Sequence, residues 1–330
     1  MAENLHRDKI LISIITPVFN RMDVIGRCMD SVSRAIKSYG DDSIFEHIII
    51  DDGSRDDTPV IIENFAKSNP YISPIFFENN RGTNAARNAG ISVAKGKWCL
   101  LLDSDDYLDD KALINIIQTI SEYPGYKHYM FAHDDMDVYL KKYDIIRGKE
   151  IVELTYEDLL SKKVEADFIH LASAEILRNH PFSETLRIHE GLFFLLFYKD
   201  AQKMLFRNIL IAYLERNRAD SVSQEFLRIG KQNIRNKLIA SSMKLELFEK
   251  EMRELGMNTE IDALKISVID NSLLLQDYKT ASKALKDLGL KNKKVVFLKG
   301  INSLKLGGLY RVVLKSYLVL KYRVFKKSLR

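Results

Sequence analysis

Cysteine is scarce in this chain, with two among 330 residues, Cys28 and Cys99. Neither has a metal-ligating neighbour in sequence, so we expect a reducing, cytosolic setting. Long apolar runs are missing near the start as well. Residues 1–9 are largely polar, and the apolar stretch at residues 10–15 is too short for a signal-peptide core or a membrane span. The sequence therefore predicts a cytoplasmic protein.

Two glycine-rich phosphate-binding motifs are absent. The chain has no Gly-x-x-x-x-Gly-Lys-Ser/Thr, which excludes a P-loop nucleotide site. No Gly-x-Gly-x-x-Gly follows the first predicted strand, where a dinucleotide-binding fold requires it. A bound phosphate would therefore be held by a metal ion and by Arg or Lys side chains.

Asp and Glu are absent from residues 288–330, whereas residues 291–330 contain twelve Lys or Arg. These twelve exceed the net charge of +5, so the remainder of the chain is net negative. In residues 309–327 cations interrupt an apolar sequence, and five apolar side chains can share one helical face: Leu309, Val313, Tyr317, Leu320 and Val324. A basic amphipathic helix suits the surface of an anionic membrane, which we favour over nucleic-acid binding or packing against the protein.

Strand-like and helix-like segments alternate up to residue 106. Apolar runs of strand length occupy residues 10–20, 45–50, 72–77 and 97–102, with amphipathic segments at 23–38, 57–68 and 83–94 between them. Pro17, which has no N–H for a central ladder, is expected to end the first strand. The alternation predicts right-handed βαβ units around a parallel sheet.

Two of these predicted strands end in carboxylates. The second ends in a pair and the fourth in a cluster of three: Asp51 and Asp52, then Asp103, Asp105 and Asp106. Because the carboxyl ends of parallel strands lie along one edge of a sheet, we expect these groups to converge. Such oxygen ligands suit Mg²⁺ or Mn²⁺ shared with substrate phosphates. The alternative for the second cluster is an acidic turn that caps a helix starting near Leu108.

Five motifs in this order closely resemble the family 2 glycosyltransferases. They are Ser13-Ile14-Ile15-Thr16-Pro17-Val18-Phe19-Asn20, Ile50-Asp51-Asp52-Gly53-Ser54, Asn80-Arg81-Gly82, Ala86-Arg87-Asn88-Ala89-Gly90 and Leu102-Asp103-Ser104-Asp105-Asp106. The resemblance is clear over residues 9–108, and a weaker match reaches residue 224 through residues 215–223. It implies the α/β GT-A nucleotide-diphospho-sugar transferase fold, a Rossmann-like, mostly parallel sheet flanked by helices. We expect this domain at residues 1–225 and an α-helical extension at 226–330.

Carried over position by position, the resemblance implies a donor site built from strand ends. The residues implied to bind the nucleotide-sugar are Thr16 and Pro17 at the base pocket, Asp51 and Asp52 at the base, Arg81 near the diphosphate or base, and Asp103 and Asp105. Asp105 and Asp106 would bind the cation, Mg²⁺ or Mn²⁺. Alternatively, Asp51 serves only an Asp-Gly-Ser turn, and Arg87 and Asn88 are ordinary helix residues.

Glu190 is the catalytic base that the resemblance implies. An inverting transfer is a single displacement in which a carboxylate removes the proton of the acceptor hydroxyl. In the family this carboxylate comes from a Glu-Asp pair before an aromatic-rich helix, and the matching stretch here is residues 187–194. Gly191 stands where the Asp is expected. The alternative is that Glu190 only favours a helix N-terminus through the helix dipole.

These expectations combine into an inverting glycosyltransferase. It would move a sugar from a nucleotide-diphosphate donor, with UDP-sugar as first choice, to a hydroxyl of a glycan or lipid-linked acceptor in bacterial surface polysaccharide synthesis. The setting would be peripheral, on the cytoplasmic face of the inner membrane. The alternative is a non-catalytic nucleotide-sugar-binding scaffold subunit, which the missing Asp at Gly191 favours. A homodimer is left open, and no nucleic-acid partner is expected, since the tail carries no motif that reads bases.

Overall fold

The structure, a computed structural model, describes residues 10–186, 189–215, 230–289, 293–314 and 316–317. The chain divides into two compact units, Met1–Arg218 and Ala219–Arg330. The domain boundary expected at residue 225 falls between the described residues 215 and 230, so that position stays a prediction.

The first unit begins with the expected alternation of strands and helices. Its elements are β1 (Ile12–Val18), α1 (Ile25–Tyr39), β2 (Phe45–Asp51), α2 (Thr58–Ala66), β3 (Ile72–Phe76), α3 (Thr83–Val93) and β4 (Trp98–Leu101). The four strands pair in parallel in the order β3-β2-β1-β4. Every residue of β1 and β2 is buried, as expected for central strands covered on both faces.

One local expectation, at Pro17, and one of the alternatives, at the acidic turn, are wrong. Pro17 does not end β1, which continues to Val18. Pairing of β1 with β4 stops at Ile15, so Pro17 pairs only toward β2 and the sheet loses no ladder bond on its other side. The acidic turn after β4 does not cap a helix near Leu108, because that residue belongs to a strand and the next helix begins at Ala112.

The remainder of the first unit turns the sheet into a mixed one. The further elements are β5 (Tyr107–Leu108), α4 (Ala112–Glu122), β6 (His128–His133), α5 (Met136–Lys142), β7 (Ile151–Thr155), α6 (Tyr156–Leu160), β8 (Ile169–Ser173), α7 (Ala174–Asn179), α8 (Glu190–Ala201) and β9 (Lys203–Tyr213). The strand order continues as β4-β8-β6-β9-β5, and β7 also pairs with β9. β8 is antiparallel to both β4 and β6. The last strand, β9, returns to β5, which directly follows the acidic turn.

The second unit is helical where it is described. It contains α9 (Lys231–Glu254), α10 (Asn258–Leu274), α11 (Tyr278–Lys286) and α12 (Lys293–Ser303), and residues 307–314 are also helical. One core cluster of this unit consists of Ile269, Leu273, Ala281, Leu285, Val295 and Leu298. Across the described part of the chain, no helix combines the length and the apolar character that crossing a membrane requires. The expected C-terminal helical extension is confirmed, while its residues 318–330 lie outside the described residues.

Candidate active site

The acidic turn after β4 lies where β1 and β4 run side by side. The N–H of Leu102 still donates to the Ile15 carbonyl at 3.1 Å, beyond the last paired residues. The N–H of Asp106 then donates to the Asp103 carbonyl at 3.1 Å and closes the turn. Three carboxylates, with Asp105 the third, thus share one short turn at the carboxyl end of a buried strand, which is where α/β sheets bind ligands.

Arg87 of α3 joins this turn to the start of α8. Its Nη2 lies 2.8 Å from Asp103 Oδ1, and its Nη1 lies 3.9 Å from Glu190 Oε1. The guanidinium is also 5.7 Å from the ring centroid of Phe182. Burial works against the charged form, but the two carboxylates outweigh it and raise the Arg87 pKa above its ordinary value. A single cation, only 15% exposed, therefore holds two of the predicted site residues close together.

Glu190 is the first residue of α8, and its side chain is 25% exposed. The preceding residue, His189, makes no side-chain capping bond. A Cβ built on Gly191 would meet no atom of the described residues within 4 Å, so packing does not require glycine there. Residues 187 and 188 of the motif lie outside the described residues. The carboxylate is reachable from solvent and is linked to the acidic turn through Arg87. A role of Glu190 as general base stays a prediction.

Two asparagines of α3 hold the segment that leads into α8. Asn88 donates through Nδ2 to the Phe182 carbonyl at 2.8 Å and accepts the Phe182 N–H at 2.9 Å. Asn84 donates to the Ser183 carbonyl at 2.9 Å. These bonds fix the chain shortly before Glu190. Asn88 and Arg87 are therefore more than solvent-facing helix residues, and both position neighbours of the acidic turn.

Asp52, at the end of β2, is 2% exposed and binds backbone. Its Oδ1 accepts the N–H of Arg81 at 2.7 Å, and its Oδ2 accepts the N–H of Gly82 at 2.8 Å. Gly82 immediately precedes α3, so this carboxylate anchors the start of that helix. A contact between Asp52 and a nucleotide base stays a prediction.

Asp51 forms the turn that was the alternative to a binding role. Its Oδ2 accepts the N–H of Ser54 at 3.0 Å, and it is 2% exposed. Its Oδ1 is buried without a hydrogen-bond partner among the described residues. Burial raises the Asp51 pKa above its ordinary value despite the bonds from Ser54. The turn needs Gly53, whose φ is +73°, because a Cβ there would lie 2.7 Å from the carbonyl carbon of Asn79.

Thr16 and Pro17 lie inside the sheet. Thr16 is fully buried, and its hydroxyl is 2.9 Å from Nε2 of His47. Burial lowers the His47 pKa to about 3, so this imidazole is neutral at physiological pH. Pro17 is buried in β1 as well. Their contact with a base stays a prediction.

Arg81 lies on the loop that Asp52 anchors. Its Nη2 is 3.3 Å from Glu184 Oε2, and its guanidinium lies 4.9 Å from the ring centroid of Phe77. Its side chain is 54% exposed. A role of Arg81 at a diphosphate stays a prediction.

Sequence reasoning missed a second arginine at the acidic turn. Arg27 of α1 donates to the Asp105 carbonyl at 2.9 Å and to Glu215 Oε2 at 2.7 Å. The N–H of Glu215 in turn donates to Asp106 Oδ1 at 2.9 Å. The only available signal was the weak family match that begins at Glu215. The rest of that late segment, residues 216–223, lies outside the described residues.

The acidic turn has the donors for a cation shared with a substrate, but no preformed cage. Among the described residues, no group of three or more His, Cys, Asp or Glu side chains is arranged to hold a metal ion. Mg²⁺ is typically held by one or two carboxylates and by substrate phosphates, so a complete protein cage is not required. The carboxylates of Asp105 and Asp106 fit such a shared ion.

One helix, α3, connects the two acidic strand ends. Asp52 holds Gly82 at its start, and Arg87 holds Asp103 and Glu190. At a rise of ~1.5 Å per residue, the two attachment points on α3 are about 8 Å apart along its axis. The structure thus brings the ends of β2 and β4 and the start of α8 to one edge of the sheet.

Comparison with known proteins supports the resemblance to family 2 glycosyltransferases. Residues 13–169 match the family described as Glycosyl transferase family 2. Glycosyltransferase GlyG of Streptococcus pneumoniae is 25% identical over 82% of this chain and 88% of its own length. The GalNAc(5)-diNAcBac-PP-undecaprenol beta-1,3-glucosyltransferase of Campylobacter jejuni is 28% identical over 57% of this chain and 60% of its own length.

A solved structure shares the fold. The crystal structure of S. aureus TarS 1-349 in complex with UDP-GlcNAc superposes with a TM-score of 0.62 at 17% identity, covering 93% of this chain and 91% of that one. The mixed sheet, its flanking helices and the C-terminal helices therefore form the expected GT-A arrangement. Residues 13–169 of this chain therefore belong to Glycosyl transferase family 2.

Proposed function

We propose that this glycosyltransferase is an inverting enzyme that transfers a sugar from a nucleotide-diphosphate donor to a hydroxyl of a glycan or lipid-linked acceptor. The observation that carries the proposal is the Arg87 bridge, with Asp103 at 2.8 Å and Glu190 at 3.9 Å from one guanidinium. A donor bound at the acidic turn would have Glu190 beside it. That is the arrangement in which a carboxylate deprotonates an acceptor hydroxyl during a single displacement.

The donor end of the site is the acidic turn. Asp105 and Asp106 would hold Mg²⁺ or Mn²⁺, while Asp103 and the residues at the end of β2 would hold the nucleoside. When bound, the cation offsets the charge that develops on the departing diphosphate. UDP is the first nucleotide to test, because a protein of the same fold binds UDP-GlcNAc.

The acceptor end is open to solvent at Glu190, whose side chain is 25% exposed. The relative from Campylobacter carries an undecaprenol-linked glycan in its name, which supports a lipid-linked acceptor here. Synthesis of a bacterial surface polysaccharide is the process that would use such an acceptor.

Release of nucleotide diphosphate from a panel of UDP-, GDP- and dTDP-sugars tests this function. We expect consumption of UDP-sugar with Mg²⁺ or Mn²⁺ and loss of that activity when the cation is chelated. A protein that binds donors but consumes none, with or without acceptor glycans, would instead be a scaffold subunit, as the glycine at position 191 allows.

We also propose peripheral contact between the helical unit and an anionic membrane. Val296 of α12 and Val312 and Val313 of the final described helix are 69%, 60% and 58% exposed, in a part of the chain without carboxylates. Exposed apolar side chains among cations suit a membrane interface. Leu320 and Val324 of the predicted face lie outside the described residues.

Sedimentation with anionic vesicles tests this contact. The double variant Val312→Ser/Val313→Ser should bind roughly tenfold less, because two apolar side chains are lost from the interface. Val138→Ser, at a valine of α5 that is 55% exposed, is the matched control. Equal binding by the double variant and the control would contradict membrane contact through this face.

A further inference from the structure

The helical unit contains a cavity of about 370 Å³ with three cationic side chains in its wall. Lys231 and Arg235 of α9 line it, together with Arg311 of the final described helix. Asp277 is the only carboxylate among the described lining residues. This volume falls within the range of small-ligand sites.

Among the described lining residues, cations outnumber carboxylates by three to one. Within the described part of the chain, none of its three cations forms an ion pair with a carboxylate. Asp277 is already engaged, because its Oδ1 accepts the Thr280 N–H at 3.0 Å and its Oδ2 accepts the Thr280 hydroxyl at 2.7 Å. Lys231 is also the first residue of α9, so the positive end of that helix dipole lies at the cavity.

Arg311 is held over the cavity by a close backbone contact. A Cβ at Gly307 would lie 2.1 Å from the Leu273 carbonyl oxygen, so the final helix begins directly on the end of α10. The hydroxyl of Tyr310, next to Arg311, donates to Asp270 of α10 at 2.5 Å. The first turn of the helix that carries Arg311 thus contacts α10 at both its ends, at Gly307 and at Tyr310.

We propose that this cavity binds a phosphate-bearing anion, either a phosphodiester or a diphosphate. Three cations lining one cavity can provide charge-assisted hydrogen bonds to phosphate oxygens. Leu238 and Leu275 complete the wall with an apolar part, which suits a phosphate attached to an organic group. The ligand is either a lipid headgroup or a soluble phosphate compound. Its lining residues differ from those of the candidate sugar-transfer site, and the proposal does not depend on that function.

The test compares two double variants of the full chain that remove the same charge. Arg235→Gln/Arg311→Gln alters the cavity, and Lys250→Gln/Lys286→Gln alters two exposed lysines outside it. Lys250 is on α9 as well, ~28 Å along the helix from Lys231. Calorimetric titration with inorganic pyrophosphate, in chelator and without divalent cation, should show affinity at least about tenfold weaker in the cavity variant than in the control.

Vesicle binding identifies the source of the phosphate. Phosphatidylcholine vesicles with and without phosphatidylglycerol are sedimented with both double variants. A deficit of the cavity variant confined to pyrophosphate assigns the site to a soluble phosphate compound, whereas a deficit with phosphatidylglycerol assigns it to a lipid headgroup. Equal behaviour of the two variants with both probes would overturn the proposal. None of the four substituted residues belongs to the candidate sugar-transfer site. A failure of the full chain to consume donor sugars would therefore bear only on the sugar-transfer proposal.

Discussion

The carboxylates that end β2 and those that end β4 arise from the same sequence pattern but have different surroundings. Asp52 is 2% exposed, and both its oxygens accept backbone N–H groups. The side chain of Asp103 is 52% exposed and pairs with the guanidinium of Arg87. A carboxylate satisfied by backbone stabilises a loop, whereas one on an open turn can bind a ligand. An apolar run that ends in Asp therefore predicts that the carboxylate lies at a strand end. It does not predict whether that carboxylate stabilises a loop or binds a ligand.

The cause of the difference is the loop that follows β3. It crosses the end of β2 so closely that Gly53 has no room for a Cβ against Asn79. The same loop supplies the N–H groups that Asp52 accepts. Asp103, in the turn after β4, keeps a side chain that is 52% exposed, and that turn is held by Arg27 and Arg87.

The largest effect is expected at Glu190, which Arg87 links to the open turn. Glu190→Gln keeps the size of the side chain but removes the base, so turnover should fall ~10²–10⁴-fold while donor affinity stays unchanged. Steady-state kinetics and donor titration measure the two quantities. Glu175→Gln, at an exposed first-turn glutamate of α7, is the matched control and should retain full activity. Comparable losses in both variants would refute a specific role for Glu190.

Asp105→Asn tests whether the carboxylates at the end of β4 bind the cation that turnover requires. If Asp105 holds the cation, turnover should fall at least ~10²-fold, since several kcal/mol of charge stabilisation are lost. The free energy of unfolding should stay nearly unchanged. Asp110→Asn removes an exposed carboxylate just after β5 and serves as the control. Wild-type turnover in Asp105→Asn would remove the metal from the proposed mechanism.

Asp52→Asn tests whether the carboxylate at the end of β2 stabilises the fold. An amide offers one acceptor oxygen to two N–H donors and places its own NH₂ against the second, so stability should fall by ~1–3 kcal/mol. Urea unfolding followed by Trp98 fluorescence reports on the first unit alone, because Trp98 is the only tryptophan and lies buried in β4. Asp57→Asn, at an exposed aspartate before α2, should cost little. An unchanged free energy of unfolding together with weakened donor binding would show that Asp52 contacts the ligand and does not mainly stabilise the loop.

The alternating half of the sheet was predictable because each parallel strand is a continuous apolar run between helices. β1 to β4 lie within two residues of their expected bounds, and the departure at Pro17 depended on where β4 stops pairing. The second half was not predictable at this level. β8 inserts between β4 and β6, and β9 pairs with three strands, through contacts that local periodicity does not encode.

The candidate site shows the same division. Spacing and family resemblance identified the carboxylates, because their positions at strand ends are local properties. The contacts that join them are long-range: Arg87 reaches Glu190 more than a hundred residues later, and Arg27 reaches Glu215. Arg87 belongs to one of the family motifs, but an ordinary helix position stayed open as the alternative, since nothing in α3 alone shows which groups will face it.

The smallest change in stability is expected at Asp51. Its substitution also distinguishes the role of Asp51 from that of its neighbour Asp52. Burial raises its pKa above the ordinary value of 3.8, so the folded protein retains a proton that the unfolded chain has released. The free energy of unfolding therefore falls as pH rises from 3.8 to the raised pKa of the folded protein. This loss of stability persists at neutral pH. Asp51→Asn stays neutral and keeps an acceptor for the Ser54 N–H.

At pH 7 the unfolding free energy of Asp51→Asn should therefore equal or exceed that of the wild type, opposite in sign to the ~1–3 kcal/mol loss at Asp52. Below pH 3.8 the carboxyl is largely protonated in both states, so any advantage should disappear there. Urea unfolding by Trp98 fluorescence at both pH values measures this. A loss at pH 7 as large as that of Asp52→Asn would mean that the ionised Asp51 carboxylate stabilises the turn, and the two neighbours would then act alike.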